Sequence, residues 1–244
     1  DGPYEVGDQR QFWVYDLTSM PPSYKRITAT CRAVGEHSYV FVHDEQWQTA
    51  MTQDDVDAVL LAFESYTPAS PGEGIYQVDT RLFGEHSDID GDPHIFLLFY
   101  QLGSYHGYVF DGYFSYEDLL DGQYSNRTEM LHLDVDDAAS DYSLGVIAHE
   151  FVHLIQANYD PTEVMWLSEA MAEVGMVATG FIKGDDYSPV SPPLSRLPDT
   201  TRSSSKNRCR PNCGFWLARL KARSWPCAIA TPQLSACNST RSQS

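Results

Sequence analysis

The sequence predicts an α+β domain built around a mixed sheet. Runs rich in β-branched and aromatic residues indicate strands in the first 133 residues, and two segments between residues 142 and 181 have helical periodicity. Strands and helices alternate only in part, which is typical of the α+β class. With 244 residues, the chain can form one substantial core, or a domain with an appendage.

Three runs near the start of the chain have the composition of strands. They are QFWVYD at 11–16, ITATCRAV at 27–34 and SYVFVH at 38–43, and they are separated by Pro21-Pro22 and Gly35-Glu36. Because β-branched and aromatic residues favour strands, and proline and glycine favour turns, we expect these runs to pair as a small antiparallel unit. This unit defines an N-terminal β-rich region over residues 1–50.

A helix and two strands are predicted next. Thr52 and Asp55 form a capping-box pattern ahead of an apolar helical pattern, which indicates a helix from Thr52 to about Tyr66. The continuous apolar run HIFLLFY at 94–100 is typical of a buried strand, and EMLHL at 129–133 of another short strand.

A stretch rich in glycine and tyrosine extends from Gly103 to Phe114. Glycine within strands is found mostly at sheet edges and bulges. We therefore interpret the segment from Gly107 to Phe114 as a candidate edge strand that binds substrate by strand addition.

Two helices are predicted after an acidic connection. Apolar residues cover much of the first, from Tyr142 to about Asn158, so that helix must be largely buried. Asp160-Pro161-Thr162 ends it and is predicted to cap the second, from about Glu163 to Phe181.

The charge changes sign along the chain. Residues 1–190 contain 33 acidic and 7 basic residues, a net charge of −26, whereas residues 191–244 contain 1 acidic and 9 basic residues, a net charge of +8. An acidic surface repels nucleic acid and anionic lipid, so we expect neither as a partner of the main body. No apolar run approaches the roughly 18 residues that a membrane-spanning helix requires.

The segment His149-Glu150-Phe151-Val152-His153 is the pattern H-E-x-x-H within the first predicted helix. Two histidines four residues apart lie about 40° apart around a helix axis, so both imidazoles face one ion. Glu150 is placed to take a proton from a zinc-bound water. The alternative is a buried helix whose histidines are merely hydrogen-bonded, but burying three such groups without a function is costly. The pattern therefore predicts one catalytic zinc ion.

The third zinc ligand must come from another segment. The extended pattern H-E-x-x-H-x-x-G-x-x-H is excluded, because Gln156 and Tyr159 stand where it requires Gly and His. The segment WLSEAMAE at 166–173 places Glu169 and Glu173 on one helical face, with fifteen residues between His153 and Glu169. A carboxylate from this helix would complete the His₂Glu set of catalytic zinc sites.

The pair HEFVHLIQ and WLSEAMAE resembles the gluzincin peptidases. The resemblance implies a zincin-like fold over residues 51–182, with Glu169 as the zinc ligand and Glu173 as the acid that orients a ligand histidine. Ala170 stands where glycine is usual in that segment. The sequence over roughly residues 7–180 is also similar to bacterial secreted peptidases of the hyicolysin type.

The resemblance implies a secreted, bacterial endopeptidase that acts on protein or peptide substrates. An aminopeptidase is the nearest enzymatic alternative, although no motif for gripping a free amine is visible. A competing interpretation from another class is a secreted surface or binding module that keeps a zinc ion without turnover. A closed four-ligand site would favour that module, and an open coordination position would favour the enzyme.

A calcium ion is a further candidate, at Asp88, Asp90 and Asp92. The segment DIDGD at 88–92 resembles the start of a calcium loop. It lacks the glutamate of the twelfth position, where Phe99 stands, and a polar turn before the strand at 94–100 is the other interpretation.

Residues 183–244 form an atypical tail rich in Ser, Arg and Cys, which we expect to be irregular. The resemblance implies a His or Tyr that stabilises the oxyanion, often from beyond the glutamate ligand. Every histidine lies at or before His153, so Tyr159 and Tyr187 are the candidates, and Tyr159 is our catalytic prediction. We hypothesise that residues from about 190 onward are a frameshifted or foreign reading. The alternative is a genuine basic appendage, whose Cys209, Cys213, Cys227 and Cys237 form disulfides or bind zinc.

Overall fold

The computed structural model describes residues 2–19, 21–105, 108–183 and 215–220. Within these ranges the strands form one mixed sheet in the order β1-β2-β3-β4-β7-β6-β5, with β8 paired to β6. The strands are β1 (Gln9–Asp16), β2 (Ser23–Val34), β3 (Ser38–His43), β4 (Ile95–Tyr100), β5 (Ser104–Tyr105), β6 (Tyr108–Phe114), β7 (Met130–Asp134) and β8 (Phe215–Leu220). The runs predicted as strands at 11–16, 27–34, 38–43, 94–100 and 129–133 are confirmed.

The β-rich start of the chain belongs to the same sheet as the later strands. Strands β1, β2 and β3 are antiparallel, as predicted, but β3 then pairs in parallel with β4, and β4 in parallel with β7. The boundary that the sequence analysis places after residue 50 therefore runs through a continuous sheet.

The sheet is strongly curled. Strands β1 and β4 are separated by two strands, so in a flat sheet they would lie about 14 Å apart. The ring centroids of Phe12 in β1 and Phe96 in β4 are nevertheless 6.0 Å apart. The first two strands thus fold back over one face of the sheet, and this face forms a core whose buried members include Phe41, Leu98 and Met130.

Four α-helices lie on the other side of the sheet. They are α1 (Gln53–Glu64), α2 (Ile75–Phe83), α3 (Asp141–Tyr159) and α4 (Met165–Thr179), and a short 3-10 helix covers Tyr116–Leu119. Helices α1 and α3 contact the strands, and α2 and α4 pack mainly against α3. Their apolar sides join the opposite set of strand residues, among them Val42, Leu97 and Leu133, in a second core. None of these helices is long and apolar enough to cross a membrane.

The helix predictions are confirmed with two differences. The backbone N–H of Thr52 donates to the Asp55 carboxylate at 2.8 Å, as the capping box at the start of α1 requires. Helix α4 begins after Val164 and not after Thr162, because the Asp160 side chain accepts a hydrogen bond from the Thr162 backbone N–H in a separate turn. Helix α2, which follows Gly74, was not predicted.

Part of the tail forms a strand. Strand β8 pairs antiparallel with β6, from Tyr108 opposite Leu220 to Phe114 opposite Phe215. For these six residues the prediction of irregular structure is wrong. Tyr187 and the tail cysteines lie outside the described residues.

Candidate metal centre

Helix α3 carries His149, Glu150 and His153. The helix is capped by Ser140, whose hydroxyl accepts a hydrogen bond from the Ser143 backbone N–H at 3.2 Å, and its residues 144–156 are all buried. His149 and His153 are 1% and 2% exposed. Their Nε2 atoms are 3.2 Å apart, so both imidazoles point to one place, as the i, i+4 spacing predicts.

Helix α4 brings Glu169 to the two histidines. Its packing is close at Gly175, where a Cβ atom would lie 2.7 Å from a methyl group of Val152 in α3. The carboxylate of Glu169 lies 3.4 Å from Nε2 of His149 and 3.7 Å from Nε2 of His153. One atom from each of the three side chains lies within 4.8 Å of the other two.

The spacing of these atoms fits a zinc ion. In a tetrahedral site with bonds of about 2.0–2.1 Å, neighbouring ligand atoms lie about 3.3 Å apart. The separations of 3.2, 3.4 and 3.7 Å are close to this value. The donor set, two imidazole nitrogens and one carboxylate, is the His₂Glu set of catalytic zinc sites.

The protonation states also suit metal binding. Burial lowers the pKa of His153 to about 3, with help from the neighbouring His149, so this imidazole is neutral, the form that can ligate a metal. Burial acts to raise the pKa of Glu169, but the hydrogen bond from His149 and the electrostatic interaction with the two imidazoles outweigh it. Glu169 therefore stays ionised.

Glu150 lies fully buried beside this cluster. Its side chain is 0% exposed, and the backbone N–H of Phe114 acts on its carboxylate, although neither oxygen meets the geometry of a full hydrogen bond. Burial raises the pKa of Glu150 to about 8, although the nearby His149 acts in the opposite direction. A carboxylate in this environment binds a proton readily, which is what a general base requires.

A network of uncharged hydrogen-bonding groups binds Nδ1 of His153, the ring nitrogen that does not face the cluster. Nδ1 of His153 lies 3.0 Å from the hydroxyl of Ser168, and that hydroxyl donates to Oε1 of Gln156. The Gln156 amide donates in turn to the Ser168 backbone carbonyl at 3.3 Å. Because the hydroxyl proton is directed to Gln156, the hydroxyl oxygen accepts from Nδ1–H, and Nε2 is left unprotonated for a metal.

The roles of Ser168 and Gln156 were not predicted from the sequence. Ser168 directly precedes Glu169, and Gln156 follows His153 by three residues. Helical spacing alone therefore places both side chains near predicted ligands. Neither side chain is charged, and a serine or glutamine at such a position carries no signal of its own.

Glu173 is near His149 but does not orient it through a hydrogen bond. Burial acts to lower the pKa of His149, but the hydrogen bond with Glu169 and the charges of the nearby glutamates, Glu173 among them, raise it. Nδ1 of His149 and Oε2 of Glu173 are both buried without a hydrogen-bond partner. The hydrogen bond implied by the resemblance is therefore not formed.

Tyr159, the predicted oxyanion donor, points away from the cluster. It lies six residues after His153 on α3, which turns it by about 120° to another side of the helix. Its side chain is 62% exposed, and its hydroxyl accepts a hydrogen bond from the Glu85 backbone N–H at 2.9 Å. Tyr159 connects α3 to the segment after α2 instead.

Strand β6 passes directly over the site helix at Gly112. A Cβ atom there would lie 2.7 Å from a methyl group of Val146 and 3.2 Å from Cγ of Glu150. Only glycine allows β6 to lie this close to α3, which explains the glycine at position 112. The predicted substrate strand thus runs beside the candidate base.

The predicted calcium ligands separate in the structure. One carboxylate oxygen from each of Asp88, Asp90 and Glu129 lies within 4.8 Å of the others. Asp92 is not in this group, because its carboxylate accepts hydrogen bonds from the Tyr39 hydroxyl and from the His94 backbone N–H. The predicted set of Asp88, Asp90 and Asp92 is therefore not assembled in the structure.

Comparison with known proteins relates part of the chain to a metalloprotease. It is 32% identical over 113 residues to the neutral metalloprotease ShpI of Staphylococcus hyicus. The match covers 37% of this chain and 25% of the relative, so the chain spans about a quarter of the length of the relative that it matches. No protein-family model matches the chain.

Proposed function

We propose that this chain is a zinc metallopeptidase of the gluzincin type that hydrolyses peptide bonds. The observation that carries the proposal is the convergence of His149, His153 and Glu169 within 4.8 Å, with the buried carboxylate of Glu150 beside them. The partial similarity to a metalloprotease supports the same reaction class. The mixed sheet with α3 and α4 on one face is compatible with the zincin-like fold that we propose for it.

His149, His153 and Glu169 would hold the ion, which the neutral His153 and the ionised Glu169 are suited to do. Zinc bound there supplies Lewis acidity, which polarises a substrate carbonyl and acidifies water. The carboxylate of Glu150 takes a proton from the attacking water and passes it to the nitrogen of the leaving amine. Its pKa of about 8, raised by burial, lies close to neutral pH, where a general base is most effective.

Substrate is proposed to bind as an added strand along β6. Gly112 places β6 next to Glu150, so a peptide paired with β6 would present its backbone to the candidate base. Strand β8 already pairs antiparallel along β6, which supports the idea that this edge accepts a further strand. A substrate strand would then have to take the place of β8.

The same pairing favours a second candidate function, a zinc-binding module with little or no turnover. In that case β8 covers the edge permanently and the ion is structural. Tyr159 does not offer an oxyanion donor to this cluster, since it is 62% exposed and lies on another side of α3 from His153. Measurement of peptide hydrolysis distinguishes the peptidase from the zinc-binding module.

We also propose that the protein is secreted and bacterial, and that its substrates are proteins or peptides. The net charge of −18 suits a soluble protein in a salt-containing medium. The relative that it matches in part is a neutral metalloprotease of a bacterium.

Casein hydrolysis tests the proposed function. The purified chain should hydrolyse casein, lose this activity with a zinc chelator, and regain it when zinc is restored. His149→Ala, prepared in the same way, serves as the matched control for contaminating peptidases. Zinc binding at one ion per chain without any hydrolysis would instead establish the module. Hydrolysis that resists the chelator would contradict both candidates.

A further inference from the structure

A second cluster of carboxylates lies away from the candidate zinc site, where the segment after α2 meets the start of β7. Asp88 and Asp90 belong to that segment, and Glu129 directly precedes β7. One oxygen from each of the three lies within 4.8 Å of the others. None of the three has a Lys, Arg or His ion-pair partner among the described residues, so three like charges face one another without compensation.

Glu129 is the unusual member of this cluster. It is 1% exposed, and its Oε1 accepts hydrogen bonds from the Ser87 hydroxyl at 2.9 Å and the Ile89 backbone N–H at 2.8 Å. Its Oε2 is buried and has no hydrogen-bond partner. A buried carboxylate oxygen without a partner costs free energy, and a bound cation removes that cost.

The hydrogen bonds around the two aspartates hold them toward Glu129. The Gly91 backbone N–H donates to Oδ1 of Asp88 at 2.8 Å, and the Thr128 hydroxyl, next to Glu129, donates to Oδ2 of Asp90 at 2.7 Å. Burial raises the pKa of the Glu129 carboxyl, the charge of Asp90 adds to this effect, and the hydrogen bonds from Ser87 and Ile89 act in the opposite direction. Without a cation, repulsion among the three carboxylates disfavours the ionised form of each.

The nature of the donors selects the ion. All three are carboxylate oxygens, which suit a hard divalent cation, whereas a structural zinc site uses nitrogen or sulfur. A spacing of up to 4.8 Å is about twice a calcium–oxygen bond of 2.3–2.6 Å. Asp88 and Asp90 are exposed, so water can supply the further ligands that calcium takes. Magnesium demands a stricter arrangement of its ligands than calcium does.

We infer that Asp88, Asp90 and Glu129 bind one calcium ion, which fastens the segment between α2 and β4 to the start of β7. The site does not depend on the proposed peptidase activity, since none of its residues belongs to the zinc cluster. It also differs from a contiguous loop site, because Glu129 replaces Asp92 as the third ligand.

Calcium titration by calorimetry tests this inference, with the zinc site loaded beforehand so that calcium is the only ion that is varied. The wild type should bind one calcium ion, at least tenfold more tightly than magnesium, and its melting temperature should rise with calcium. Glu129→Gln should weaken binding at least tenfold. Asp92→Asn, a matched acid-to-amide change in the same segment, should leave calcium affinity within about threefold of wild type.

Asp88→Asn provides a second variant, at an exposed position, if Glu129→Gln does not fold; it too should weaken binding at least tenfold. Three results would overturn the inference: no calcium binding by the wild type at millimolar concentration, equal affinity for magnesium, or loss of affinity in Asp92→Asn with wild-type affinity in Asp88→Asn. Peptide hydrolysis is not part of the readout, so failure of the proposed function leaves the test intact.

Discussion

The hydroxyl of Ser168 lies 3.0 Å from Nδ1 of His153, on the opposite edge of the imidazole from Nε2, which faces Glu169. Ser168 immediately precedes Glu169 on α4. One turn of helix thus supplies a proposed metal ligand and the group that orients another ligand. The orientation is achieved with a neutral serine and glutamine, and it fixes which nitrogen of His153 carries the proton.

Loss of the Ser168 hydroxyl should weaken zinc binding. We expect Ser168→Ala to reduce zinc affinity about 10- to 100-fold, because the tautomer and orientation of His153 are then less constrained. Competition with a chromophoric chelator measures this. Ser168→Thr, which keeps the hydroxyl, should restore most of the affinity, and Ser143→Ala in the first turn of α3 should have no effect. Equal affinities for all four proteins would show that the contact does not orient the ligand.

The two glutamates of α4 should differ in their effect on zinc content. Glu169→Ala removes a carboxylate that lies 3.4 Å from Nε2 of His149, so zinc should be lost almost completely. Glu173→Ala removes only a nearby charge, since its carboxylate makes no hydrogen bond to His149, and most zinc should remain. Elemental analysis after dialysis decides between them. Zinc retained in Glu169→Ala and lost in Glu173→Ala would mean that the ligand is the other glutamate.

Much of the candidate site could be predicted because it depends on helical spacing within short segments. The interval of four residues between His149 and His153 determines their relative direction on any helix, whereas the choice of Glu169 within WLSEAMAE rested on the resemblance to the gluzincin segment. What could not be predicted depends on contacts between segments distant in the chain. Glu129 meets Asp88 across about forty residues, and the curl that brings Phe12 to Phe96 leaves no periodic signal.

Helix α2 could not be predicted from the sequence for a different reason. Its nine residues, IYQVDTRLF, contain β-branched and aromatic residues, and Gly74, which precedes them, has no side chain that could cap the first turn. Local propensity therefore gives a weak signal. Packing of Ile75 and Val78 against the core stabilises the helix, and that packing exists only in the folded chain.

Asp134 should make stability depend on pH. Burial raises the pKa of Asp134 to about 6, while hydrogen bonds from the Leu102 and Asp136 backbone N–H groups act in the opposite direction. The folded protein therefore binds a proton more tightly than the unfolded chain, in which the pKa is near 3.8. The free energy of unfolding that this group contributes falls as pH rises from about 4 to 6.

Asp134→Asn removes this titration. We expect the unfolding free energy of the variant minus that of wild type to increase between pH 4 and pH 7, by at most ~3 kcal/mol. Urea denaturation at both pH values measures it. A difference that stays constant, or decreases, between the two pH values would contradict the assignment.

Strand β8 should compete with substrate for β6. Leu217 pairs with Gly112, and proline at position 217 cannot donate a hydrogen bond to the neighbouring strand. If substrate adds to β6, Leu217→Pro should lower KM for a peptide substrate severalfold without changing zinc content. Leu197→Pro, the same change elsewhere in the tail, is the control. Identical KM values in both variants and wild type would remove β6 as the substrate strand.

The rate of peptide hydrolysis by Glu150→Gln at matched zinc occupancy tests the central claim most directly. The amide has nearly the same shape as the carboxylate but cannot accept the proton, so zinc content should equal that of wild type while kcat falls by ~10²–10⁴-fold or more. The folded state is checked by thermal melting in the presence of zinc. Activity that persists at a tenth of wild type, with zinc bound, would contradict the assignment of Glu150 as the general base.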